Sequence, residues 1–535
     1  TTITAQGRRK PGAYQAIIDE INRGVLIVNY TGHGNPSVWA HENIFNTQTS
    51  IPQLVNANKL SLFFLATCNF SDFDDPNSYT GSELLCNRSG GGAIGVVSAT
   101  RKVFAVENFN LNVDIYDRMF LEDQYGRAIV DRPATALFRA KVENTNSLND
   151  QKFFFMGDPT MRLQYPQGFA SIDTINGEPV DSVNGVPRAD SDPISIRALQ
   201  KVTMSGVTRT DDNRPESGVS GVIELVVNDA TRQISIPGFP PGAATPFSYR
   251  ATGATVYRGA ASVTDGRYGA TFIVPKDISY ADSSTRGRMI AYYTDDVSDR
   301  LAYTDNIYVG GTDSTASDDT DGPEITIYLN TRSFQPGDIV SHDPLLLVDL
   351  VDSSGINTST AGIGHRIEAW LNGASQSIDI TDSYASELDN FQRGTVQFEL
   401  RDLPFGRNSV VVRAWDAYNN ASTSETFFEV TSGDQLTITD VMNFPNPFAR
   451  ETMFTFKQNQ LVPLNIIVRI YTVAGRLIQT LETTSPGEPF VKINWDGRDR
   501  DGDVLANGVY LYKVVVSTVD GARSTEALGK IAVLK

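Results

Sequence analysis

The sequence predicts a multidomain α/β plus all-β chain, and three observations carry that prediction. Up to about residue 166, helical periods alternate with short, almost continuously apolar runs, the pattern of a doubly wound sheet with helices on both faces. From about residue 167 onward the helical periods stop. Alternating runs then recur every 8 to 12 residues between Gly, Asn, Asp and Ser, the texture of β-sandwiches. The length of 535 residues leaves room for three to four domains at roughly 150 residues each.

In the α/β region, residues 14–22 place Ile17, Ile18 and Ile21 on one helical face, with Gly24 as the C-cap. Residues 25–30 (VLIVNY) and 60–67 (LSLFFLAT) read as strands buried on both faces. Thr80-Gly81-Ser82-Glu83 fits a capping box opening a helix that ends in the run 89–92 (SGGG). Residues 93–99 form a third strand, 104–121 and 133–143 two helices, and 152–156 a last strand before Gly157-Asp158-Pro159. The β region divides into residues 167–312, 323–431 and 436–535. Residues 313–322, within the acidic and apolar-free run TDSTASDDTDGP, form a linker, and a second break falls near 431–435.

Composition excludes several classes. Gly (43) and Pro (25) stand at average usage, which rules out collagen-like and low-complexity chains. A 40% hydrophobic fraction supports real cores. The net charge of −18 argues against nucleic acid as a partner and against adsorption to an anionic membrane. No apolar run reaches the roughly 20 residues of a spanning helix. Two cysteines are too few for a disulfide scaffold, and four histidines make a His/Cys metal cluster unexpected.

Two loops hold the candidate chemistry. The strand VLIVNY runs into Thr31-Gly32-His33-Gly34-Asn35, and LSLFFLAT runs into Cys68-Asn69-Phe70. Ligands of parallel α/β sheets bind at the carboxyl ends of strands, and a right-handed crossover brings consecutive strands close together. His33 and Cys68 are therefore expected to face one crevice. An imidazole beside a thiol takes its proton and later protonates a leaving amine. The amides of Gly34 and Cys68 are candidate donors to an oxyanion. The bland reading stands beside this one: a cysteine at a strand end is commonly structural, and a histidine between glycines is commonly a turn residue. Cys86, beside Leu84 and Leu85, reads as a buried structural cysteine, with a Cys68–Cys86 disulfide open in an oxidising compartment.

The stretch 25–45 (VLIVNYTGHGNPSVWAHENIF) resembles the catalytic-histidine region of the gingipain family of cysteine peptidases, which have a caspase-type fold. Residues 64–70 (FLATCNF) with Asp74-Asp75-Pro76 resemble that family's nucleophile loop. Residues 90–95, Ser98-Ala99-Thr100-Arg101 and Gly157-Asp158-Pro159-Thr160 are similar to its later motifs. The set is most similar to the gingipain-like sortases of the type IX secretion system. The β-region runs Asp352-Ser353-Ser354-Gly355-Ile356-Asn357, Gly362-Ile363-Gly364-His365, Ala414-Trp415-Asp416 and Asn443-Phe444-Pro445-Asn446-Pro447-Phe448 support that branch. So do Trp495-Asp496-Gly497 and Leu505-Ala506-Asn507-Gly508-Val509-Tyr510, which resemble a type IX C-terminal signal domain over 436–535.

The resemblance implies Cys68 as nucleophile, His33 as base and Glu42 as an orienting acid, with a solvated loop carboxylate as the other reading of Glu42. Trp39 and Arg101 become candidate substrate-binding residues, Arg101 alternatively pairing with an acidic neighbour. The implied activity is that of a cell-surface cysteine endopeptidase and sortase at the outer membrane. It would remove C-terminal signal domains from exported proteins and pass the new C-terminus to an amine of anionic lipopolysaccharide. The implied partner is an outer-membrane β-barrel shuttle protein of the PorV type. A non-catalytic surface scaffold and a general secreted protease are the competing readings.

No cofactor is expected. A structural calcium is kept open at Asp72-Phe73-Asp74-Asp75, whereas residues 496–503 (DGRDRDGD) read as a tight hairpin lacking the bidentate Glu of a calcium loop. Family members carry strands and helices before the histidine loop, and here only 32 residues precede His33. The expectation is thus the C-terminal part of a gingipain-type α/β domain (1–166) followed by three β-sandwich, Ig-like domains.

Overall fold

The strand β2 (Ser61–Ala66) organises the first half of the molecule, and all six of its residues are buried. In the computed structural model it lies between β1 (Ile27–Thr31) and β3 (Ala93–Ala99), parallel to both. β4 (Phe153–Gly157) runs antiparallel on the far side of β3. The structure describes residues 2–4, 7–77, 79–144, 147–183, 186–187, 192–236, 246–279, 285–295, 297–359, 364–431, 436–460 and 462–535. The chain forms two compact units, residues 1–167 and 168–535.

Alternation along β2 explains the layers. Leu62, Phe64 and Ala66 enter one core with Leu111, Ile115, Leu137 and Ala140 of helices α3 (Ala105–Met119) and α4 (Pro133–Glu143). Phe63 and Leu65 enter the other, with Ile21 of α1 (Pro11–Arg23) and Leu85 of α2 (Gly81–Cys86). Each fully buried Phe or Leu contributes about 1.5–3 kcal/mol of transfer free energy. The edge strand β1 is only half-buried.

The capping box forms: the Thr80 amide donates to Glu83 Oε2 at 2.8 Å. The helix it opens is shorter than expected, leaving at Asn87 rather than in the glycine run, because Asn competes with the helical backbone for hydrogen bonds. A ribbon of two-residue strands (Gly34–Asn35, Val38–Trp39, Phe45–Asn46) and a hairpin (Phe120–Glu122 with Ala128–Val130) are additions that pieces so short do not announce in a sequence.

The second unit is all β. Its first part builds its β layers from one sheet. One nine-stranded sheet between Gly168 and Thr312 folds over on itself, so that Tyr257 near one end stacks on Phe272 near the other at 4.2 Å. The next part packs a four-stranded sheet against a five-stranded one around Leu346, Val348, Val410 and Val412. The last packs three strands against four around Phe454, Val468, Trp495 and Val514. The expected break near 431–435 and the motif at 362–365 fall in part outside the described residues. Among the described residues, no helix is long and apolar enough to cross a membrane.

Candidate active site

Parallel register positions the two candidate residues. Thr31 of β1 faces Ala66 of β2, and the Gly32 amide donates to the Ala66 carbonyl at 3.3 Å. His33 and Cys68 each lie two residues beyond this matched pair, so they leave adjacent strands at the same level. The segment leaving His33 requires glycine: a Cβ on Gly34 would lie 2.3 Å from Thr67 Oγ1 and 3.0 Å from the Val38 carbonyl oxygen.

The His33 carbonyl is fixed by the Tyr30 hydroxyl and the Ala40 amide, both at 2.7 Å. The ring itself is exposed, with its centroid 5.4 Å from that of His41. Burial pushes the Tyr30 phenol up to about 12, so it remains a donor at neutral pH. The Cys68 thiol is half-buried. Its Sγ lies 3.5 Å from the Val103 nitrogen, which donates to it, and 3.6 Å from the Val103 oxygen. Among the described residues no hydrogen bond joins the imidazole to the thiol, and the Cys68 amide donates to no backbone carbonyl.

The Cys68 loop is braced from behind. Asn69 adopts a left-handed φ of 55° and donates its amide to the Arg101 carbonyl at 3.3 Å. The Ser71 amide donates to the Ala99 carbonyl at 3.1 Å. Arg101 takes the second of its two sequence readings: its guanidinium donates to Asp72 Oδ1 at 2.7 Å and to Asp74 Oδ2 at 2.5 Å. That guanidinium holds the Asp74 carboxyl down to about 2. Arg101 is therefore engaged with the loop rather than free for substrate.

Trp39 is a correction. It is 1% exposed, stacked between Tyr30 at 4.9 Å and Phe45 at 4.2 Å. As the inward residue of a two-residue strand it fills the core beneath the ribbon and lines no crevice. Glu42, expected to orient His33, makes no hydrogen bond to it among the described residues, and its charge is felt at Tyr30. Both cysteines are free. Cys86 sits beside the Met156 carbonyl at 3.7 Å, and burial pushes its thiol up to about 11.

Asp72 and Asp74, kept open for calcium, are paired with Arg101. In the 496–503 run, Asp499 Oδ1 accepts the amides of Asp501 and Asp503, the bonding of a tight turn. Among the described residues, the carboxylates close enough to share a cation are instead Asp319, Asp352 and Asp416, with ligand atoms within 4.8 Å of one another. Sequence spacing hid them, because they come together from distant positions only through tertiary packing. Val103 was missed too, since its contribution is main chain and carries no residue-type signal.

Residues 1–164 match the model of Peptidase family C25, and residues 464–520 match the FlgD Ig-like domain. Gingipain R2 of Porphyromonas gingivalis is 44% identical over 57 residues, 11% of this chain and 8% of that protein. Lys-gingipain HG66 of the same organism is 27% identical over 129 residues, 21% of this chain and 7% of that protein. The chain thus spans less than a tenth of the length of these curated relatives. The crystal structure of dimeric latent PorU from Porphyromonas gingivalis aligns with a TM-score of 0.35 at 24% identity, over 84% of this chain and 41% of that one. The chain carries a gingipain-family cysteine peptidase domain followed by β-sandwich domains.

Proposed function

With a peptidase family C25 domain at residues 1–164 as the premise, we propose that the chain acts as a cysteine endopeptidase with sortase activity in type IX secretion. The observation that supports it is the shared level of His33 and Cys68 at the ends of adjacent parallel strands. His33 takes the Cys68 proton, and the thiolate attacks the scissile carbonyl. The C–N bond breaks as His33 returns the proton to the leaving amine, which departs with the C-terminal signal domain. The acyl group stays on Cys68 as a thioester. An amine of anionic lipopolysaccharide then attacks, giving up its proton through His33, and the amide forms as the thiol is restored. Water in place of the amine gives hydrolysis. This chemistry runs on the two side chains and the nearby amides of Gly34 and Cys68, without a cofactor. The place of action in this reading is the extracellular face of the outer membrane, beside a PorV-like β-barrel.

One observation favours a second reading. Among the described residues the thiol makes no hydrogen bond to the His33 imidazole, which suits a non-catalytic scaffold. The test is a passenger fused to a C-terminal signal domain, incubated with the chain and a soluble amine. Mass spectrometry is expected to find both the cleaved passenger and its amide adduct, and neither with Cys68→Ala. Equal product from both forms defeats the enzyme reading; cleavage without adduct defeats the sortase reading alone.

A further inference from the structure

The Cys68 thiol is held by main chain, and that main chain is tied back to the loop carrying the thiol. The Val103 amide lies 3.5 Å from Sγ, two residues past Arg101. The Arg101 carbonyl receives the amide of Asn69, the residue after Cys68, at 3.3 Å. The guanidinium spans Asp72 Oδ1 at 2.7 Å and both Asp74 oxygens at 2.9 and 2.5 Å. Asp72 Oδ2 in turn accepts from Asn69 Nδ2 at 2.8 Å. Arg101, Asp72 and Asn69 thus close a ring whose two free ends are Cys68 and Val103.

We infer that Arg101 is a positioning residue for the proposed peptidase, fixing the Val103 amide against Cys68 Sγ so that the thiolate is favoured over the thiol. The Val103 N–H at 3.5 Å stabilises the anion, and the Val103 carbonyl at 3.6 Å accepts from the neutral thiol. S–H is a weak donor, whereas the bond from N–H to the anion is charge-assisted, so the N–H contact outweighs the carbonyl one. The other titratable groups on the elements around the thiol are His33, His41 and Glu42 of the histidine loop, and Lys102, whose carbonyl is held by Lys152 Nζ at 2.8 Å. None of these joins the segment after β3 to the nucleophile loop, whereas Arg101 does so through both its carbonyl and its side chain.

The inference rests on the peptidase reading for its purpose, but its readout needs no turnover. The measurement is the pH profile of iodoacetamide alkylation at Cys68 in the full chain, followed by mass spectrometry of that peptide. Cys86, pushed up to about 11, reacts slowly at neutral pH. Arg101→Gln is expected to raise the midpoint by about one pH unit, making alkylation about tenfold slower below it. Arg101→Lys keeps the charge but lacks the planar fork that reaches Asp72 and both Asp74 oxygens, and is expected to recover part of the loss.

Asp74→Asn separates positioning from simple charge. Removing an anion would by charge alone make the thiol more acidic; a loosened ring makes it less acidic, and the latter is expected. An unchanged or lowered midpoint in folded Arg101→Gln, or a lowered one in Asp74→Asn, overturns the inference. A wild-type profile that His33→Ala leaves unaltered, together with no turnover, defeats the peptidase reading while the Arg101 comparison stands.

Discussion

Each unit contains a polar cluster built around a histidine, and the two clusters differ in how completely their groups are partnered. In the β unit, His365 Nδ1 meets Asp277 Oδ2 at 2.6 Å. Asp277 also accepts from Asn357 Nδ2 at 3.2 Å and Asn419 Nδ2 at 2.9 Å, and the His365 ring packs 4.4 Å from Trp415. In the peptidase unit the His33 ring is exposed and makes no hydrogen bond to the thiol beside which the register places it. Buried polar groups must be satisfied, and a satisfied network fixes one arrangement. A group left open at a strand end retains its capacity for an incoming molecule. The difference separates a joint, which links the first β-sandwich to the second, from a candidate site.

The largest expected effect breaks the comparison on the peptidase side. Cys68→Ala is expected to lower peptide cleavage by about 10⁴–10⁶-fold with the unfolding midpoint unchanged. His33→Ala should cost about 10²–10⁴-fold, mostly in kcat, since the imidazole moves protons and binds little. Combining the two should add nothing to Cys68→Ala alone, because the pair acts as a unit. Steady-state kinetics on one fusion substrate checks all three; a double variant much slower than Cys68→Ala would show that His33 serves another role.

On the β side the effect is thermodynamic. Asp277→Ala leaves the donors of Asn357 and Asn419 and the His365 ring without their common acceptor. A loss of about 1–3 kcal/mol in denaturant unfolding of the β unit is expected, with Cys68 alkylation unchanged. An unaltered midpoint would mean that water replaces the carboxylate and that the joint is no firmer than the open crevice.

How much of this contrast a sequence can show depends on what carries it. The β2 run was legible because a strand buried on both faces must be apolar throughout, and the placement of His33 and Cys68 just past the ends of adjacent parallel strands follows from crossover topology alone. The direction of Trp39 was not legible, since a two-residue strand offers no period to read. The role of Arg101 stayed open between two partners because charge pairing depends on loop closure. The joint was hidden for the same reason as the three carboxylates: Asp277 and His365 meet only through tertiary packing. The folded-over nine-stranded sheet has the same alternation as a two-sheet sandwich, so no pattern distinguishes them.

The smallest effect sharpens the comparison from inside the β unit, where not every polar group is satisfied to advantage. Burial raises the Asp352 carboxyl above its ordinary range, and the charges of Asp416 and Asp319 add to the shift. Burial raises Asp416 likewise. A folded-state pKa above the unfolded value means the native chain holds the extra proton. That contribution to stability is full below the unfolded value of about 3.9 and is lost as pH rises through the folded one. Once pH has risen past the folded value, charge on Asp352 and Asp416 therefore opposes folding. Asp352→Asn keeps an oxygen to accept the Ser354 amide and hydroxyl, both at 2.7 Å, while removing one charge. Thermal melts in EDTA are expected to show a Tm a few degrees above wild type at pH 7 and equal to it at pH 3.5. A lower Tm at pH 7 would show that the carboxylate charge itself holds the second sandwich together, and would place this cluster with the fully partnered joint.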